Sequence, residues 1–116
     1  MKNDLKKLIE KFRETALVHG KAAGEDDYKS ANRYFDKIIA LLPKILSHGS
    51  IGEAALLALT EDQDPSVACW AATYSLKFDA NRALAVLGKL SKMPGVIGFD
   101  AKMVLELWQE GNLVLA

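Results

Sequence analysis

Apolar residues recur at spacings of three and four along most of the 116-residue chain, which places them on one face of an α-helix. Glycines, prolines and helix-capping residues divide this pattern into six segments. No segment shows the sustained alternation of apolar and polar residues that is typical of β-strands joined by hairpin turns. The pattern therefore predicts a single all-α domain of about six helices over residues 1–116.

The first two helices are marked by their apolar stripes and by the residues between them. The first is predicted from Asp4 to about Ala22, and the second begins after the acidic residues 25–27, which suit the positive end of a helix dipole. Pro43 lies within the second stripe and predicts that this helix kinks or ends near Leu42. The second stripe consists of Ala31, Phe35, Ile38, Leu42 and Ile45.

Three later helices begin at residues that can cap a helix N-terminus. Ser50 and Glu53 have the spacing of a capping box. Asp64 stands before Pro65, which is the arrangement of an N-cap followed by proline at the first helical position. The fifth helix is predicted to begin at Asp79.

The sixth helix is predicted from Val96 to about Glu110, with Gly111 ending it. The side chains expected to face inward are Phe99, Met103, Val104 and Leu107. Connections of about two to six residues favour antiparallel neighbours, and hence three helical hairpins. In the centre, a leucine-rich helix, an acidic turn with proline and a helix of small residues have the composition of a stacked helical solenoid.

Charge and targeting signals narrow the classes of partner. Fifteen basic residues balance fifteen acidic ones, and a neutral chain lacks the excess positive charge that binds nucleic-acid phosphates. In the first helix Asp4, Glu10 and Glu14 interrupt the lysines, so a solvated face is favoured over a membrane-binding one. There is no apolar signal core and no apolar run approaching about 20 residues. We therefore expect a cytoplasmic protein with neither a nucleic-acid nor a membrane partner.

The residues that most often carry catalysis are few. Cys69 is the single cysteine and is interpreted as a buried, inert thiol; His19 and His48 each lie beside a glycine and are interpreted as helix-end residues. The acidic clusters 25–27 and 61–64 lack the spacing and glycine of a calcium loop, so capping is the favoured interpretation. These features predict a protein that is not an enzyme and that carries no cofactor or metal.

Large aromatic side chains with a polar tip are the most interesting candidates for binding. The set consists of Tyr28, Tyr34, Trp70, Tyr74 and Trp108. Such residues are enriched in the energetic hot spots of protein interfaces, but they also serve as core residues with one edge in water. The sequence leaves both alternatives open.

The central region resembles a HEAT repeat. Residues 56–76 have its Asp-Pro turn, its valine at Val67 and its paired alanines at Ala71 and Ala72. The arginine that commonly follows this valine is replaced by Ala68, which removes the usual bridge from that arginine to an acidic neighbour.

Stretches of nearly the whole chain also resemble a small bacterial family named domain of unknown function 2019. They are residues 14–20, 27–37, 70–73 and 99–108, and the Ala-Asn-Arg-Tyr block at 31–34 is the most specific. The resemblance implies a HEAT-like alpha–alpha superhelix with no assigned catalytic residues. It further implies a link to immunity proteins, because similar small helical proteins are encoded beside bacterial toxins as their immunity partners.

In a stacked superhelix alternate helices line the concave face, which here would be the second, fourth and sixth. The candidate partner-binding residues on these helices are Arg33, Tyr34, Lys37, Trp70, Tyr74, Lys102 and Glu106. We expect a non-catalytic protein-binding module, with an immunity protein that neutralises a cognate toxin as the first hypothesis. The alternative is a structural adaptor that docks a peptide or protein partner in its concave groove, and a small-molecule enzyme ranks third.

Overall fold

The computed structural model describes residues 2–113 and 115, with side chains described from Asp4 onward. Its helices are α1 (Lys2–Gly24), α2 (Tyr28–Leu46), α3 (Ser50–Ala58), α4 (Pro65–Ser75), α5 (Ala80–Leu90) and α6 (Gly95–Gln109), with a short 3-10 turn at Leu59–Glu61. The described residues contain no strand, so the all-α prediction is confirmed. Within the same residues, no helix combines the length and apolar character needed to cross a membrane.

The small-residue helix α4 lies at the centre of the fold. Eight of its eleven residues are buried, because its short side chains let neighbours pack against it on several sides. It contacts α1, α3, α5 and α6. Val67 and Ala71 belong to a core shared with α1–α3, whereas Ala72 and Leu76 belong to a second core shared with α5 and α6.

Two of the predicted helix caps are present. The Asp64 carboxylate accepts hydrogen bonds from the backbone N–H groups of Ser66 and Val67, at 2.9 and 3.1 Å. The Asp79 carboxylate accepts one from the N–H of Arg82 at 3.2 Å. Both aspartates satisfy donors that have no partner inside the helix, as their sequence positions predicted.

Of the two outcomes predicted for Pro43, the end of α2 near Leu42 is wrong. Pro43 lies inside the helix, which continues to Leu46 instead of ending near Leu42. Proline removes one backbone hydrogen bond, but Ile38 and Ile45 are fully buried on either side of it. Packing of this stripe against the core therefore outweighs the local cost of the proline.

The predicted capping box at the start of α3 is also wrong. Gly49 occupies the N-cap position with φ of 69°, and Ser50 is the first helical residue. The side chain of Ser50 is thus one position too late to accept a hydrogen bond from Glu53, and no side chain caps this helix. The left-handed backbone at residue 49 suits glycine and sets the start of the helix instead.

Three large side chains that were expected to face inward are exposed. Phe35 and Met103 are each 43% exposed, and Phe99 is 64% exposed. On α6 the buried residues are Gly98 and Ala101. Because these small residues form the most closely packed face, Phe99 and Met103 point outward, while Ile97, Val104, Leu105 and Trp108 pack partly buried against the second core.

An ion pair ties α1 to the turn before α4. The Arg13 guanidinium donates to both oxygens of Asp62, with Nε–Oδ2 of 2.6 Å and Nη2–Oδ1 of 3.2 Å. The hydrogen bond from Arg13 holds the pKa of the Asp62 carboxyl below its usual range. An arginine of α1 thus pairs with the acidic turn before α4.

Candidate functional site

An open groove of about 690 Å³ lies between the end of α1, the first half of α2, α4 and the start of α6. We call it the aromatic groove, because its lining includes the rings of His19, Tyr28, Phe35, Trp70 and Tyr74. All three helices expected on the concave face contribute to it, and the end of α1 joins them. A cleft of this size with a mainly apolar lining is the usual form of a binding site.

Trp70 is the centre of the aromatic groove. Its ring stacks parallel to that of Tyr74, with centroids 5.9 Å apart. The ring of Phe35 lies tilted at 5.5 Å, and the edge of His19 approaches at 5.1 Å and 90°. These contacts come from three different helices, so they hold the indole in one position and make a rigid aromatic surface.

His19 differs from its predicted role as a helix-end residue. It lies within α1, which continues to Gly24, and its Nδ1 accepts a hydrogen bond from Trp70 Nε1 at 3.4 Å. Burial lowers the pKa of His19, which favours the neutral ring that this bond requires. The neighbouring Gly20 explains the contact, because a Cβ there would lie 1.8 Å from the hydroxyl oxygen of Ser66. The close approach of α1 to α4 brings the two rings together.

Two further titratable side chains, Cys69 and Asp100, also line the aromatic groove. Burial raises the pKa of the Cys69 thiol to about 11, and the nearby Asp100 carboxylate adds to this rise. Such a thiol is protonated at neutral pH, which is the opposite of what a nucleophile needs. In the part of the chain that the structure describes, no group of three or more His, Cys, Asp or Glu side chains is arranged to hold a metal ion.

Asp100 enters the aromatic groove from α6 and is half-buried. Burial raises the pKa of its carboxyl above the usual value. Among the described residues, no donor or cation forms a hydrogen bond or ion pair with this carboxylate; the ion pairs found there use Asp62 and Glu61. The described residues thus leave this acidic group without a partner.

Exposed apolar side chains collect at the aromatic groove. Tyr28, Phe35, Val96 and Met103 all line it and remain exposed. We call these four residues the outer lining. A contiguous apolar patch of this kind on a protein surface often marks a site where another molecule binds.

The structure brings together only part of the predicted binding set. Trp70 and Tyr74 line the aromatic groove, Trp70 half-buried and Tyr74 buried. Arg33, Tyr34 and Lys37 form a separate basic–aromatic cluster. The guanidinium carbon of Arg33 lies 5.5 Å, and the ammonium nitrogen of Lys37 5.7 Å, from the centroid of the Tyr34 ring. Each residue along a helix turns about 100°, so this cluster lies on a different face of α2 from the lining residues.

The predicted residues on α6 lie outside the aromatic groove. Lys102 and Glu106 are exposed and do not line it, whereas Asp100 and Met103 do. His19, Phe35, Asp100 and Met103 were missed as site residues. For α6 a signal existed, because Gly98 and Ala101 are spaced as a small-residue face that packs closely.

No protein-family model matches the chain, and no curated protein matches its sequence. Its fold is similar to the crystal structure of the protein RPA1889 from Rhodopseudomonas palustris CGA009. The TM-score is 0.86, the alignment covers 97% of this chain and 93% of the other, and the sequence identity is 20%. At this identity the likeness shows a shared all-α fold over nearly the full length of both chains, and fold alone does not define function.

Proposed function

We propose that this chain is a non-catalytic protein-binding module that holds a segment of a partner protein in the aromatic groove. The observation that carries the proposal is the outer lining, in which four exposed apolar side chains adjoin the aromatic cluster around Trp70. Rigid aromatic side chains in a groove are typical anchors of protein interfaces. An occupant that covers the outer lining removes these apolar groups from water, which favours binding.

The chemistry of the polar groups in the groove supports a binding role over catalysis. Cys69 is protonated at neutral pH, and Nδ1 of His19 is engaged by the indole of Trp70. A catalytic pair would need an activated nucleophile within reach of an oriented base. The exposure of the outer lining favours a large occupant, because a small substrate buried beside Trp70 would leave Tyr28 in water.

The resemblance of the sequence to HEAT repeats and to domain of unknown function 2019 supports a narrower form of the proposal, in which the chain is a HEAT-like superhelix and a cytoplasmic immunity protein. An immunity protein must stay bound to its toxin, so we expect nanomolar affinity, or about 12 kcal/mol. The alternative is an adaptor that docks a peptide or protein segment with micromolar affinity. The test is to co-express the chain with the product of the adjacent gene, score growth, and titrate the purified pair. If the adjacent gene product is harmless when expressed alone, or if the pair binds only with micromolar affinity, the immunity hypothesis fails and the adaptor alternative takes its place.

The use of the aromatic groove is tested with two substitutions of matched exposure. Tyr28 in the outer lining and Ile51 on α3 are each 65% exposed, and Ile51 does not line the groove. We expect Tyr28→Ala to weaken binding of the adjacent gene product about tenfold or more, as loss of an interface anchor does. Ile51→Ala should leave binding unchanged. Equal effects of the two substitutions in calorimetry would place the interface elsewhere.

A further inference from the structure

Asp100 is the only residue lining the aromatic groove, among those the structure describes, that carries a formal charge at neutral pH. Burial favours the neutral forms of the other ionisable groups in the groove, which are His19, the Cys69 thiol and the Tyr74 hydroxyl. The hydrogen bond with Asp26 favours the neutral form of the Tyr28 hydroxyl. The groove therefore presents one negative charge within apolar and aromatic walls. A half-buried charge of this kind is screened less by solvent than a charge on the open surface.

Asp62, which is also half-buried, has a different environment. Asp62 receives two hydrogen bonds from Arg13 and one from the backbone N–H of Asp64. Asp100 receives none from the described residues, although burial disfavours its charged form as well. Water is left as the partner of this half-buried carboxylate, so an occupant that covers it without supplying a hydrogen bond or a positive charge is disfavoured.

We propose that Asp100 determines the specificity of the aromatic groove, and that the partner segment places a lysine or arginine side chain against it with apolar residues on either side. The inference rests on the proposed function, because it names the chemistry of the segment that the groove holds.

Comparison of the three possible charges of the occupant favours a cation. An acidic segment would be repelled by Asp100, and a neutral segment would cover the carboxylate and remove its remaining water without replacing it. A basic side chain supplies the missing ion pair, and its methylene stem packs on the apolar walls. The aromatic rings of the lining attract a cation in addition.

The probe for this inference is a random-peptide display library selected against the immobilised full-length chain. Peptides are kept if they bind the wild type but not a Tyr28→Ala, Phe35→Ala variant, which removes two rings of the outer lining. We expect the retained sequences to share a lysine or arginine between apolar residues. One of them is then synthesised in two forms, with the basic residue and with norleucine in its place, and both are titrated.

Asp100→Asn should weaken binding of the basic peptide about tenfold or more. It should leave binding of the norleucine peptide unchanged, because only the basic peptide forms an ion pair with Asp100. Glu106→Gln is the matched control, since it neutralises an exposed carboxylate on the same helix outside the groove. Asp100→Ser is a second variant if the asparagine protein is poorly folded, as judged by circular dichroism.

The outcomes separate this inference from the proposed function. Peptides that depend on the outer lining but bind Asp100→Asn and the wild type equally would overturn the role of Asp100 and leave the binding module intact. Equal loss for the basic and norleucine peptides would also overturn it. A library that returns no peptide dependent on the outer lining would instead contradict the proposed function.

Discussion

At the residue scale, Asp64 caps α4 and so stabilises the helix on which both cores depend. Its carboxylate accepts two backbone hydrogen bonds. We expect Asp64→Ala to lower the free energy of unfolding by about 0.5–2 kcal/mol, the usual loss for an N-cap. Urea unfolding followed by circular dichroism measures this. Ser50→Ala is the control, because Ser50 begins a helix without capping it, and an equal loss there would refute the assignment of the caps.

Substitution of Asp100 should increase stability, in contrast to substitution of Asp64. Its pKa is raised in the folded protein by burial, so folding disfavours the charged form. The resulting loss of stability is present above the folded pKa and disappears as the pH falls below the unfolded pKa of about 4. We expect Asp100→Asn to raise the free energy of unfolding at pH 7 by roughly 0.5 kcal/mol, at the lower end of single stabilising substitutions.

The measurement for Asp100→Asn is a urea titration at pH 7 and at a series of lower pH values. The difference between variant and wild type should shrink as the pH falls, because protonation removes the charge from the wild type. A variant that is less stable than the wild type at neutral pH would mean that the carboxylate has a stabilising partner in the folded protein.

At the scale of helices, two glycines with different surroundings test how closely α1 and α4 pack. A Cβ at Gly20 would lie 1.8 Å from Ser66 Oγ and 2.6 Å from its Cβ, whereas one at Gly88 in α5 would meet nothing within 4 Å. Gly20→Ala should destabilise the protein by about 1–3 kcal/mol through overpacking. Gly88→Ala should stabilise it by about 0.4–1 kcal/mol by restricting the unfolded chain. Thermal unfolding distinguishes the two, and equal shifts would contradict the close approach.

The ion pair between α1 and the turn before α4 makes the stability depend on pH. The pKa of Asp62 is lowered in the folded protein by the hydrogen bond from Arg13, so its contribution is present above the unfolded pKa and is lost as the pH falls through the folded pKa. Between pH 7 and pH 2 the wild type should therefore lose more stability than Asp62→Asn. Parallel curves for the two proteins would show that the pair adds nothing to stability.

At the scale of the whole molecule, the basic–aromatic cluster lies on a different face of α2 from the lining of the aromatic groove. Arg33 directly follows Asn32, which lines the aromatic groove. A standard interface covers around 800 Å² on each partner, which is large enough for a partner centred on the groove to reach around α2 to Arg33 and Tyr34. We expect Arg33→Ala and Tyr34→Ala to speed dissociation of the adjacent gene product, by less than Tyr28→Ala does. Surface plasmon resonance measures these dissociation rates. Unchanged rates would show that the interface does not include Arg33 and Tyr34.

The sequence by itself determined the features that depend on near neighbours in the chain. Helical periodicity and short polar caps act within a few residues, so the all-α class, the cap at Asp64 and the central small-residue helix could all be predicted. Trp70 and Tyr74 could be predicted as groove residues as well, since they are large aromatics on a helix of otherwise small residues.

Only the tertiary structure decided how far α2 extends and which face of α6 is buried. Pro43 remains within α2 because packing on both sides outweighs its local cost, and α6 packs through Gly98 and Ala101, which leaves Met103 outward. The unpaired state of Asp100 likewise depends on the positions of four helices. Apolar periodicity reports that a helix has a buried face, but the rotation of that face is set by how closely the neighbouring backbones approach, and that distance is a property of the assembled fold.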